Sequence, residues 1–220
     1  MTGLVHSWLS VWLWVATATG IAFTAFIIRK WNTWGWGDRL AALTAVWIVP
    51  HVWEEWVIPG GFHYIYNTIS GSAAPDRYPM NELTDMITNF GVLILGVAAV
   101  MRWGGRASVA IAAMLFCAVE VVAHTLSISS SLNAFGSRGQ TAWYDPGLVT
   151  ALLGYLPLFI GFVVYFVRNK PRPNGRQWLA GVAMLGVLLV TIWGPEALLK
   201  DPQSPYPFPN HGYYGQFVAK

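Results

Sequence analysis

Apolar residues run along this chain in six long stretches, at about 7–29, 39–58, 83–101, 107–127, 147–168 and 177–199, with polar residues gathered between them. An α-helix needs roughly 20 apolar residues to cross a bilayer core of about 30 Å. The pattern predicts an all-α polytopic membrane protein, a bundle of about six transmembrane helices. Between the stretches lie WNTWGWGD, the Gly/Pro/Ser-rich 59–82, WGG, the polar 128–146, the basic RNKPRPNGR and a Pro/Tyr-rich tail over 200–220, all of them turn and loop chemistry. No internal repeat is visible, and six spans use up most of the 220 residues. Residues 1–220 are expected to form a single transmembrane domain. The first apolar stretch lacks a charged leader and runs into a full span, so it reads as a retained helix and not a cleaved signal.

Composition supports the same class. The chain is 55% hydrophobic and only 10% charged, against about a quarter charged in soluble domains. Its 13 Trp, 9 Tyr and 11 Phe suit the boundary between hydrocarbon and headgroups, and could also line a lipophilic pocket. The net charge of +3 is spread over several loops, which gives nucleic-acid binding no support. Cys117 is the single cysteine, which excludes an intramolecular disulfide and a thiolate metal centre.

Nine of the thirteen basic residues fall on one side of the expected bundle: Arg29, Lys30, Arg39, Arg102, Arg106, Arg168, Lys170, Arg172 and Arg176. Arg77, Arg138, Lys200 and Lys220 fall on the other. The positive-inside bias makes the first side cytoplasmic, with both termini and the two long loops outside.

Against this apolar background, the ionisable residues inside the stretches stand out. Counted from Arg39, His51 lies 12 residues in and Glu55 lies 16; from Arg106, Glu120 lies 14 in and His124 lies 18. At about 1.5 Å per residue the two helices carry these groups at one depth, just outward of the midplane. His51 shares a helix face with Glu54 and Glu55, and Glu120 shares one with His124. Pro50 removes a backbone donor beside His51 and favours a bend with exposed carbonyls. Asp85 and Asn89, four apart on the third helix, are expected to form a further wall, and Glu196 near the end of the sixth is another candidate. His63 is expected in the outer loop, and His6 and His211 as ordinary solvent or interface groups. An ionisable side chain in hydrocarbon costs several kcal/mol unless paired or wet, and so marks a functional site by default. Pairing that merely holds the bundle together is the competing explanation.

The stretch HVWEEWVIP, followed later by EVVAHTL and WYDPGLVTALLGYLP, resembles the HXXEE family of bacterial integral membrane proteins over about residues 50–160. The resemblance implies that His51, Glu54, Glu55, Glu120 and His124 are the family's marked positions, and that the protein sits in a bacterial cytoplasmic (inner) membrane. It implies no reaction, and it leaves the first helix and the tail outside.

Three classes of function remain open. Metal binding by His51, Glu55, Glu120 and His124 suits Zn, Mn or Fe, because nitrogen and oxygen ligands on facing helices can converge as in carboxylate-rich bundle sites. The protein would then be an enzyme acting on a lipid or isoprenoid-like substrate, with Glu54, Glu55, Glu120, Asp85 and Asn89 as catalytic candidates. The second class is a metal-free isomerase, cyclase or epoxide hydrolase with one carboxylic acid and one base. The third is a carrier, a proton-coupled transporter or an accessory subunit of a larger membrane complex. Clustered imidazoles and carboxylates favour an enzyme, and among enzymes the metal-dependent kind. Membrane lipids are expected partners in every case.

Overall fold

The structure, a computed structural model, describes residues 2–169 and 172–218; Lys170 and Lys220, counted above toward orientation, lie outside them. Among the described residues there is no strand. The helices in chain order are α1 (Thr2–Leu9), α2 (Trp12–Lys30), α3 (Trp36–Trp56), α4 (Phe62–Ile69), α5 (Glu82–Trp103) and α6 (Ala107–Phe135). There follow α7 (Leu148–Thr150), a π-helical turn at Ala151–Tyr155, α8 (Leu156–Arg168), α9 (Gly175–Leu199) and α10 (Gly215–Val218). Among the described residues, five segments are long and apolar enough to cross a bilayer: α2, α5, α6 with a short extension to Arg138, the continuous run from α7 to α8, and α9. The chain is an all-α polytopic membrane protein.

The sixth long helix, α3, has the length at 21 residues, or about 32 Å, but carries Asp38, Arg39, Glu54 and Glu55. Its position resolves the conflict, because it packs against α2, α5, α6 and α8 and buries His51, Glu54 and Glu55. The most polar long helix is the one surrounded by protein. On α9, by contrast, Leu179, Val182, Val187 and Val190 point outward, as side chains meeting lipid do.

Boundaries depart from the apolar pattern where side chains compete for the backbone or polar groups are held inside. The first stretch is broken: the Ser10 hydroxyl donates to the Ser7 carbonyl at 2.8 Å, α1 ends at Leu9, and the spanning helix starts at Trp12. The fourth continues to Phe135, because Ser127 donates to Asp145 at 2.6 Å and Ser131 to Gln140 at 2.8 Å, so its serines are satisfied within the protein. The fifth starts with a π turn. There the Trp47 indole N–H takes the Thr150 carbonyl at 2.9 Å, and its ring occupies the space where any side chain at Gly154 would stand.

The connection over 59–82 contains α4, and the tail folds back onto it. The Tyr213 amide donates to the Gly60 carbonyl at 2.9 Å. Gly61 has φ +103°, and a Cβ there would lie 2.5 Å from the His211 carbonyl oxygen, so this turn accepts the tail only as glycine. His63 is buried in the interface rather than loose in a loop: its ring stacks on Phe208 at 3.6 Å and its Nε2–H donates to the Asn210 carbonyl at 2.9 Å. His6 lies against Tyr206, with ring centroids 5.1 Å apart.

Burial pushes the His63 imidazole down to about 3, His211 opposes its charge further, and the Asn210 carbonyl and Asp76 only partly offset this. Its ordinary value is 6.5, so between pH 6.5 and 3 the unfolded chain binds a proton that the folded cap does not. The docked tail should therefore loosen as pH falls through this window. Amide protection factors over 204–218, each referred to the intrinsic exchange rate at its pH, are expected to fall between pH 7 and pH 5 in the native protein, and the fall should be blunted in His63→Gln.

Candidate functional site

The site is built where α3 and α6 face one another, and it starts from backbone economy. The α7–α8 segment begins inside the bundle, so its first amides need acceptors. Glu54 supplies them. Its carboxylate accepts from the Val149 amide at 3.1 Å, the Thr150 amide at 2.7 Å, the Thr150 hydroxyl at 2.6 Å and the Tyr144 hydroxyl at 3.0 Å. Burial and the Glu54 charge push the Tyr144 phenol up, which keeps it a donor. Glu54 was grouped with Glu55 among the catalytic candidates; the structure sets it apart, with both oxygens engaged in capping a helix start.

The cap also fixes a histidine. The Thr150 hydroxyl has one proton, directed at Glu54, so its oxygen accepts from His51 Nδ1–H at 2.8 Å. His51 is thereby held as the tautomer with its lone pair on Nε2. On α6, His124 receives equivalent treatment from a different source: its Nδ1–H donates to the Asp145 carboxylate at 3.2 Å. Asp145 is wholly buried and also accepts from Ser127 at 2.6 Å and from the Tyr214 hydroxyl at 3.0 Å. Burial and the Asp145 charge push the Tyr214 phenol up as well.

Both Nε2 atoms then point at the same carboxylates. His51 Nε2 lies 3.5 Å from Glu55 Oε1 and 3.4 Å from Glu120 Oε2; His124 Nε2 lies 3.4 Å and 3.8 Å from the same two atoms. Hydrogen bonds run from about 2.7 to 3.2 Å, and these separations exceed that. Bonds of about 2.0–2.1 Å at tetrahedral angles set ligands about 3.3–3.4 Å apart; three of the four separations come close to that edge and the fourth, at 3.8 Å, is longer. The ligand atoms of His51, Glu120 and His124 lie within 4.8 Å of one another, and the two rings meet edge-on with centroids 4.8 Å apart. The four residues proposed from sequence as metal ligands are brought together.

These groups line one wall of a cavity of about 370 Å³. Asp85 and Asn89 lie on another wall, joined by a 2.7 Å hydrogen bond from the Asn89 amide, and Glu196 on α9 also reaches it. Phe62 of α4 lies against the His124 ring, with centroids 5.4 Å apart.

The family model described as "Protein of unknown function with HXXEE motif" matches residues 41–162, which is more than half of the chain. The chain belongs to the HXXEE family. Neither a curated protein nor a solved structure matches it significantly. In this HXXEE protein the matched region holds both histidines, Glu54, Glu55, Asp85, Asn89, Glu120, Asp145 and Thr150, whereas Tyr214 and Glu196 lie outside it.

Sequence reasoning missed Asp145, Thr150, Tyr144 and Tyr214 as members of the site. Asp145 had a signal, a lone acid at the mouth of an apolar stretch inside WYDPG. Thr150 had none, because a threonine at a helix start is ordinary.

Gly147 completes the arrangement. Its φ is +99°, and a Cβ there would overlap the His124 ring, with 2.7 Å to Nδ1. Gly71 has a similar φ of +74° but open space around it. Gly147→Ala should therefore cost more than Gly71→Ala by the overpacking term of about 1–3 kcal/mol. Thermal unfolding of both variants in one detergent checks this; equal losses would show that backbone strain alone is at work.

Proposed function

We propose that this protein is a membrane enzyme that uses one divalent metal ion, held by His51, Glu55, Glu120 and His124, to act on a lipophilic substrate in the adjoining cavity. The single observation that carries the reading is the tautomer lock. Each imidazole has its Nδ1–H committed to a carboxylate, directly to Asp145 for His124 and through Thr150 to Glu54 for His51. Metal-binding histidines are oriented in this way, with the second nitrogen donating to a carboxylate or carbonyl. Two imidazoles and two carboxylates suit Zn, Mn or Fe. Such an ion supplies Lewis acidity or an activated water. Glu55 and Glu120 would place and balance its charge, and Asp85 with Asn89 would face the substrate from the opposite wall as proton donor and orienting amide. The balance of basic residues supports a site in the outer half of a bacterial inner membrane, with both termini outside.

A second reading has one observation in its favour. The Asp145–His124 pair is also the arrangement of a general base oriented by a buried carboxylate, which would serve a metal-free isomerase or hydrolase. Elemental analysis separates the two. Protein purified without chelator should hold about one metal per chain, and His51→Ala and Glu120→Ala should lose it while keeping the native elution profile. Thr150→Val and Asp145→Asn should bind the metal about 10–100-fold more weakly. A metal-free preparation with undiminished turnover would refute the metal-dependent reading.

A further inference from the structure

The space beside the polar groups does not end with them. Toward the end of the bundle that carries Arg39, Arg102 and Arg106, a second cavity of about 230 Å³ lies among α3, α5, α6 and α9. Ile48, Val92 and Phe116 line both cavities, so the two are adjoining compartments with three apolar side chains at their boundary. Small residues make the room: Ala41 and Ala45 on α3, Gly96 and Ala99 on α5, Ala112 and Ala113 on α6. Thr44 supplies the one hydroxyl on the wall, and it is already spent on the Leu40 carbonyl at 3.0 Å. A cavity lined in this way stays dry and takes apolar guests.

We propose that this chamber holds the hydrocarbon chain of a single-chain amphiphile whose polar head lies among His51, Glu55, Glu120 and His124. The inference rests on reading that cluster as the reactive site, and it specifies the substrate class. Three features argue for one chain. From Ile48 to Ala41 on α3, and from Phe116 to Val109 on α6, the wall runs seven residues, or about 10 Å at 1.5 Å per residue. An extended chain with C–C bonds of about 1.5 Å advances about 1.25 Å per carbon, so about eight carbons span the chamber. Its volume is about one and a half times that of an engineered cavity of about 150 Å³ that takes up one benzene, which leaves no room for a second chain.

The chamber is also reached from the right phase. Val187 on α9 and Trp103 on α5 line it and are both exposed on the bundle surface. A chain can therefore enter sideways from lipid without crossing water, while its head slides past Ile48 and Phe116 to the polar cluster. α5 and α6 are joined by a short turn at Gly104–Gly105, yet they pack little on one another; α6 packs chiefly on α9, and α5 on α3 and α9, so α9 forms the side wall along this route.

Photolabelling tests the proposal. The probe is a ten-carbon primary alcohol with a terminal diazirine, incorporated with the full-length protein into phosphatidylcholine nanodiscs, and adducts are mapped by mass spectrometry. Adducts on chamber residues such as Val100 and Val109 should exceed those on the lipid-facing Leu179 and Val190 several-fold. Ala99→Phe and Ala113→Phe, which fill the chamber from different helices, should each cut the chamber adducts at least five-fold and leave the surface adducts unchanged. The surface labelling reports folding in the same sample, and the wild-type ratio decides even if both variants misfold. Chamber adducts no more frequent than surface adducts, or unchanged in both filled variants, would overturn it. An alcohol needs no metal to enter, so the outcomes stay separable. Chamber labelling in protein that binds no metal removes only the metal reading, and a metal-loaded protein with an unlabelled chamber removes only this inference.

Discussion

Everything in this bundle depends on keeping buried imidazoles and carboxylates satisfied inside the protein. An unpartnered polar group in a low-dielectric interior costs far more than a hydrogen bond gains. The protein meets that constraint in two layers. An outer layer of Glu54, Thr150, Asp145, Ser127, Tyr144 and Tyr214 saturates the Nδ1 side of each histidine. The inner layer is left with two Nε2 atoms facing two carboxylates, each N–O separation lying between 3.4 and 3.8 Å. The outer layer is the reason the inner one has a defined chemistry.

The same constraint orders the helices. The long helix with the most polar residues is central, and the apolar ones surround it. Pro50 within α3 and the π turn at Ala151–Tyr155 are both local departures from regular backbone, and both sit beside His51. They are tolerated because they are enclosed by protein. The cap over the site, made of α4 and the tail, joins the outer layer through Tyr214, so residues more than fifty positions beyond the matched family region help to hold His124.

Much of this was legible in the sequence, for identifiable reasons. Five of the long helices follow from apolar length, whereas α3, which carries Asp38, Arg39, Glu54 and Glu55, has the length without the apolarity. The convergence of His51, Glu55, Glu120 and His124 follows from helical periodicity and from counting depth on two helices that run the same way. The particular partners of Glu54 were not legible, because i, i+3 spacing says that two residues can share a face and not which neighbours they bond; here the start of α7 engages Glu54. Asp145, Thr150 and Tyr214 were out of reach, since they arrive through turns and a folded tail whose geometry has no period. The break after Leu9 and the extension of α6 to Phe135 likewise reflect single hydrogen bonds from Ser10, Ser127 and Ser131 that hydropathy does not register.

One measurement bears most directly on the claim that the tautomer lock builds a metal site: an anomalous difference map, recorded at the metal edge, of crystals grown from protein loaded with zinc or manganese. A single peak about 2.0–2.2 Å from His51 Nε2, His124 Nε2 and oxygens of Glu55 and Glu120 is expected. No peak there, or a peak served by other side chains while His51 and His124 keep their Nε2 atoms paired with carboxylates, would contradict it.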